Sequence, residues 1–165
     1  MQEVSINKSM HLSQHFTLGE VTKTSHKTAD GNIPSHAAIN NLKNICENWL
    51  EELRELYNLI YEGVGDCRGD EPIIITSGYR SPEVNKLAGG SPTSNHLTGC
   101  AVDIRCIGIE QAIRYACILI DMADGKKMDF DEIFIERNKQ RHYWVHLAVR
   151  PKDNRRKTAF ILQYG

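Results

Sequence analysis

Three side chains in this sequence are of the types that bind a transition metal. His96 and Asp103 lie in Ser94-Asn95-His96-Leu97-Thr98-Gly99-Cys100-Ala101-Val102-Asp103, and His146 follows in Trp144-Val145-His146. Two imidazoles and one carboxylate make the donor set of a catalytic zinc site, in which three protein ligands leave a fourth position to a water that the metal acidifies. An open position of that kind belongs to an enzyme site; a structural zinc has all its positions closed. Asp103 sits between Val102 and Ile104, and a carboxylate inside an apolar run is costly to bury unless it is paired or bound to a cation.

The elements that must position these groups follow from the local pattern. Gly99 weakens any helix between His96 and Asp103, so a loop leading into a strand fits better. Alternation along Ala101-Val102-Asp103-Ile104 puts Ala101 and Asp103 on one face, and along Tyr143 to Val149 it puts Trp144, His146 and Ala148 together. If the two strands are neighbours in register, Asp103 and His146 meet on one face. Arg80 stands in Ser77-Gly78-Tyr79-Arg80-Ser81-Pro82, just after the β-branched run Ile73-Ile74-Ile75-Thr76, which reads as a buried strand ending in a turn. A guanidinium at the rim of a pocket suits a free carboxylate or a carbonyl oxygen gaining charge.

Together these segments resemble the zinc DD-peptidase family, which cuts bacterial cell-wall peptides and shares its fold with hedgehog signalling domains. The resemblance rests on an S-x-H-x-x-G-x-A-x-D segment, a W-x-H strand and an S-G-Y-R turn, and it runs from about Phe16 to Val149. Phe16-Thr17-Leu18-Gly19-Glu20 is similar to the opening of the phage-associated branch. The resemblance implies that His96, Asp103 and His146 hold one Zn2+ per chain and that Arg80 anchors the substrate. It further implies that Asn85 and Ser94 shape the pocket. Ser77 and Tyr79 flank Arg80 and join the substrate-binding candidates, although packing and turn roles suit both.

The general base is where the chain departs from better-known relatives. Where these carry an acid or a histidine shortly before the second zinc histidine, this sequence has Gln140, Tyr143 and Trp144. Two candidates remain: Glu136, at the end of Ile133-Phe134-Ile135-Glu136, and His142, on the face of His146 if the strand already begins there. Asp131 and Glu132 read as solvated surface acids.

The chain has 165 residues, 41% of them hydrophobic and 25% charged, which suits one domain with its own core. A single zinc peptidase domain over 1–165 is expected, with 1–15 flexible. A formal net charge of −1 argues against a nucleic-acid partner. The basic run Arg150 to Lys157 reads as a solvated loop between strands. Five cysteines without C-x-x-C spacing suggest reduced thiols made in a cytosol, and Cys100 reads as a small buried residue. The N-terminus shows no export-signal pattern, and no run approaches the roughly eighteen apolar residues of a membrane span. No membrane partner is therefore expected, and a monomer is. A wall-acting protein of this kind would be released by phage lysis or exported by another route.

Ile39, Leu42, Ile45, Trp49, Leu53, Leu56, Tyr57 and Ile60 mark one long amphipathic helix. A short helix is expected over Pro82–Leu87 and a second long one from Ile109 to Met122, with Ala112, Ile113, Ala116, Cys117 and Ile120 inward. Strands over Phe130–Glu136, Tyr143–Val149 and Thr158–Tyr164 complete a small, mainly antiparallel sheet. The fold class is α+β, with helices packed on one side of the sheet, as the resemblance to the hedgehog and DD-peptidase fold also implies. Residues up to about Ser35 look polar and irregular. The expected activity is hydrolysis of a peptide bond in the peptidoglycan stem or cross-link, by a D-Ala-D-Ala carboxypeptidase or an endopeptidase such as a phage endolysin. The alternative is a catalytically inactive, zinc-stabilised wall-binding or phage tail-associated module.

Overall fold

The computed structural model describes residues 6–164. The N-terminal stretch is less irregular than its composition suggests. Thr17 caps the short helix α1 (Leu18–Val21), its hydroxyl accepting from the Glu20 N–H while the Glu20 carboxylate accepts from the Thr17 N–H. Leu12, Phe16, Leu18 and Val21 are buried. Of the stretch expected to be flexible, residues 1–5 lie outside the described residues, whereas Ser13 and His15 both bond the Glu51 carboxylate.

The long amphipathic helix forms in three parts: α2 (His36–Ile45), capped by Ser35, then a wider π turn over Cys46–Leu50, then α3 (Glu51–Tyr61). The wide turn advances more slowly around the axis, so beyond it the inward face falls on Leu53, Tyr57 and Asn58. Ile60, placed inward by the sequence, is 54% exposed for that reason. The helix α4 (Pro82–Leu87) has the expected bounds, with Ser81 as its cap. α5 runs over Ile109–Lys126, one turn longer than expected, and it is rotated. Tyr115, Leu119 and Met122 turn inward while Ile113 and Cys117 face solvent, because Tyr115 packs edge-on against Tyr57 at 4.8 Å between ring centres.

Five strands form one sheet: β1 (Ile75–Ser77), β2 (Ala101–Cys106), β3 (Glu132–Arg137), β4 (Tyr143–Ala148) and β5 (Lys157–Leu162), in the order β1-β2-β4-β3-β5. Every pairing is antiparallel except that of β3 with β5. The strand expected over Ile73–Thr76 pairs only from Ile75, and an irregularity between Ile75 and Ser77 sets Ser77 opposite Asp103. Val102, Ile104, Ile133, Ile135, Val145 and Leu147 send their side chains into the core beneath the long helices. The other face carries Asp103, Glu132, Phe134, Glu136, Trp144 and His146. The architecture is thus α+β, as expected. Among the described residues no helix is long and apolar enough to cross a membrane.

Candidate metal centre

The β2–β4 ladder places Asp103 directly opposite His146. A slip of one residue would send one of the two side chains into the apolar core, so the hydrophobic alternation of both strands enforces the pairing. His96 comes from a one-turn 3-10 helix, Asn95–Thr98, capped by Ser94 and closed by Gly99. Gly99 has a φ of 71°, and a Cβ there would sit 2.4 Å from the Ala38 carbonyl oxygen, so only glycine closes this turn without displacing α2.

These placements bring three donor atoms together. Asp103 Oδ1 lies 3.0 Å from His146 Nδ1 and 3.4 Å from His96 Nε2. One ligand atom from each of the three buried residues lies within 4.8 Å of the others. Each donor also has an outer partner. His96 Nδ1–H donates to the Gly78 carbonyl at 2.7 Å, which leaves Nε2 free to accept. Arg80 Nη2 donates to Asp103 Oδ2 at 3.2 Å, and Arg80 Nε to Ser77 Oγ at 2.9 Å. On the far side of the His146 ring, Nε2 lies 3.0 Å from Glu132 Oε2. Phe134 stacks on the same ring, with centres 5.5 Å apart and planes at 18°. Gly78 is confined in its own way, since a Cβ would lie 2.0 Å from the Val21 carbonyl oxygen.

Charge in the metal-free site is tightly coupled. Burial alone would raise the Asp103 carboxyl, but the His96 and His146 imidazoles outweigh it and hold the group well below the usual carboxylate range. Burial alone would likewise lower His146, but hydrogen bonds to Asp103 and Glu132 raise it to about 10. Two ring nitrogens and one carboxylate oxygen, buried, convergent and each oriented by a second group, fit a zinc ion and could hold one.

A cleft of about 720 Å³ opens above this cluster, with Arg80, Ser94, Glu136 and Trp144 in its wall. Glu136 enters it by strand alternation, and its Oε2 accepts from Trp144 Nε1–H at 2.6 Å. Burial, and next the negative charge of Asp103, raise the Glu136 carboxyl above its ordinary value. His142 lies outside the cleft, exposed in the turn before β4, where its backbone N–H bonds Asn138. Neither Tyr79 nor Asn85, both substrate-binding candidates, is in the cleft wall, although Asn85 stands directly behind it against Gly90 and Ser91. The Tyr79 ring is buried in the core, while its backbone N–H donates to the Val21 carbonyl. Asn85 is buried in α4, where its Nδ2 donates to the Ser91 carbonyl. Ser77 stands behind Arg80 as its hydrogen-bond acceptor. The Cys100 thiol, pushed up by burial, is not one of the convergent donors.

Sequence reasoning missed the groups beside His146. Asp131 and Glu132 are not solvated acids: Asp131 is fully buried, and Glu132 lies in the cleft wall. Burial raises Asp131, but hydrogen bonds from Arg155 and Asn95 outweigh it and hold the group at about 2. Nor is the basic run wholly solvated, since Arg150 and Arg155 turn inward onto Asn95 and Asp131. The period of two that carries Glu136 into the cleft also applies to Glu132, and that was the available signal. Nothing in the sequence announces the approach of the 150–156 loop.

Compared with known protein families, residues 14–147 match the model described as Peptidase M15. No curated protein matches the chain significantly.

Proposed function

The chain belongs to the M15 family of zinc-dependent peptidases, and on that premise we propose that it hydrolyses a peptide bond within the peptide portion of bacterial peptidoglycan. His96, Asp103 and His146 hold the zinc in this reading. The observation that carries it is the convergence of those three side chains beneath a cleft that also contains Glu136 and Arg80.

Zinc, when bound, supplies a Lewis acid that polarises a carbonyl and acidifies water. Glu136 is the base: Trp144 fixes one carboxylate oxygen, and the other is left to take the proton of the attacking water and pass it to the departing amine. Absence from the cleft wall disfavours the other candidate, His142, which is exposed. Arg80, held by Ser77, offers its remaining N–H groups to the oxygen that gains charge or to a substrate carboxylate. Ser94 borders the peptide path.

The shape of the cleft favours an internal bond over removal of a terminal residue. Thr93, Ser94, Asn95 and Arg150 line both this cleft and a second cavity of about 570 Å³, so a further depression adjoins the cleft along these residues. A peptide extending on both sides of the cut bond fits such a groove. Incubation of zinc-loaded protein with purified muropeptides, followed by mass spectrometry, tests the reading. Products one water heavier in sum than their parent, formed without chelator and absent with it, are expected; unchanged masses in both samples would refute it.

A further inference from the structure

A chain of charged groups leads away from His146 into the loop between β4 and β5. Glu132 Oε2 lies 3.0 Å from His146 Nε2, and the same oxygen accepts from Asn95 Nδ2 at 3.1 Å. Glu132 Oε1 accepts from Arg155 Nη2 at 2.9 Å. Asn95 and Arg155 both reach Asp131: Asn95 Nδ2 donates to Oδ2 at 2.7 Å, while Arg155 Nε and Nη2 donate to Oδ1 and Oδ2 at 2.8 and 2.7 Å. Arg150 Nε completes the arrangement on Asn95 Oδ1 at 2.8 Å.

We propose that Glu132 is a positioning residue for His146, and that Arg155 holds Glu132 in place, so that a surface loop tunes zinc affinity without touching the ion. The inference rests on the zinc reading above. An imidazole that offers Nδ1 to a metal carries its proton on Nε2, and a carboxylate there makes a charge-assisted hydrogen bond that fixes the ring and increases its basicity. His96 has only a neutral carbonyl in the equivalent place, that of Gly78. His146 is therefore the imidazole whose donor strength depends on an anion. Asp131 and Glu132 are consecutive carboxylates, and the forked guanidinium of Arg155 bridges them against their mutual repulsion. Without it Glu132 has reason to turn toward solvent and leave the imidazole.

The test measures zinc affinity of the full chain by competition with a chromophoric chelator, alongside the visible spectrum of the cobalt-substituted protein. Glu132→Gln keeps the shape and a hydrogen-bond acceptor but removes the charge, and zinc should bind about 10-fold to 100-fold more weakly, with a shifted cobalt spectrum. Arg155→Ala should weaken binding by about 3-fold to 10-fold alone and add nothing in the Glu132→Gln background, the coupling expected of one network. If Arg155→Ala does not fold, Arg155→Lys, which lacks the fork, should give the same sign and the same non-additivity. Unchanged affinity and spectrum in Glu132→Gln, or effects of the two sites that simply add, would overturn the inference while leaving the zinc reading intact. Absence of zinc from the unsubstituted chain would overturn both.

Discussion

Asp103 and His146 face each other across the β2–β4 ladder, and the carboxylate oxygen Oδ1 lies 3.0 Å from the imidazole nitrogen Nδ1. The contact is a hydrogen-bonded ion pair in the metal-free protein, and it spans the place where the proposed ion would sit. Much of the chemistry of the site follows from that double use.

Removing any one of the three donors should abolish stoichiometric zinc. His96→Ala, Asp103→Ala and His146→Ala are each expected to yield protein with far less than one zinc per chain by elemental analysis. The unsubstituted protein should gain about 3 kcal/mol of stability with zinc at 100 times its dissociation constant, seen as a raised melting temperature. The variants should gain none.

Zinc must displace a proton from His146, which the Asp103 and Glu132 carboxylates raise to about 10. Binding near neutral pH should therefore release about one proton per ion from this residue, with about a tenfold gain in affinity per pH unit. Titration calorimetry in buffers of different ionisation enthalpy reads the proton count. For the metal-free fold the sign is opposite. A folded value raised above the unfolded one gives stabilisation that is complete below about pH 6.5 and fades as pH rises through about 10.

Glu136→Gln should retain zinc yet lose about 100-fold to 10,000-fold in kcat, the usual contribution of a positioned base. His142→Ala should leave turnover close to that of the parent, since the side chain lies outside the cleft. Equal activity of Glu136→Gln and the parent on muropeptides would remove Glu136 from the mechanism.

Arg80→Lys keeps the charge but loses the fork that spans Ser77 and Asp103. A loss of about 10-fold to 100-fold in kcat/KM is expected, in line with one or two charge-assisted hydrogen bonds. Steady-state kinetics on a defined peptide measure it, and a parent-like value would argue that Arg80 only neutralises Asp103.

Asp131→Asn should cost about 2 kcal/mol of unfolding free energy at neutral pH, because the folded-state carboxyl is held at about 2 by Arg155 and Asn95. A depressed carboxyl stabilises the fold above the unfolded value near 4, and that contribution disappears as pH falls through about 2. Urea unfolding of the metal-free proteins at pH 7 and pH 3 should show the difference between parent and variant shrinking at the lower pH.

The legible parts of the site were those with a strong local signal. A carboxylate at Asp103 inside an apolar strand demands a partner, and the alternation around His146 offers one on a matching face. The capped helix Pro82–Leu87 was equally plain, since Ser81 and Pro82 make a helix start on their own. Helix rotation was less legible. α5 carries apolar residues around much of its circumference, and its packing against α3 and the sheet, including Tyr115 on Tyr57, selects the buried face. The phase of α3 depends on the π turn at Cys46–Leu50, for which composition carries no mark.

What the sequence alone made legible is the candidate donor set, His96, Asp103 and His146, with Arg80 nearby, because residue type and spacing, and strand alternation for Asp103 and His146, are local properties. What the tertiary structure decided is the surroundings of those donors. It put Glu136 in the cleft wall and left His142 out of it, set Tyr79 in the core and Asn85 behind the wall, and joined Glu132 to Arg155. Those outcomes turn on where a loop returns and which residue a strand begins at. Both are set by packing between segments distant in the chain, where no local pattern reaches.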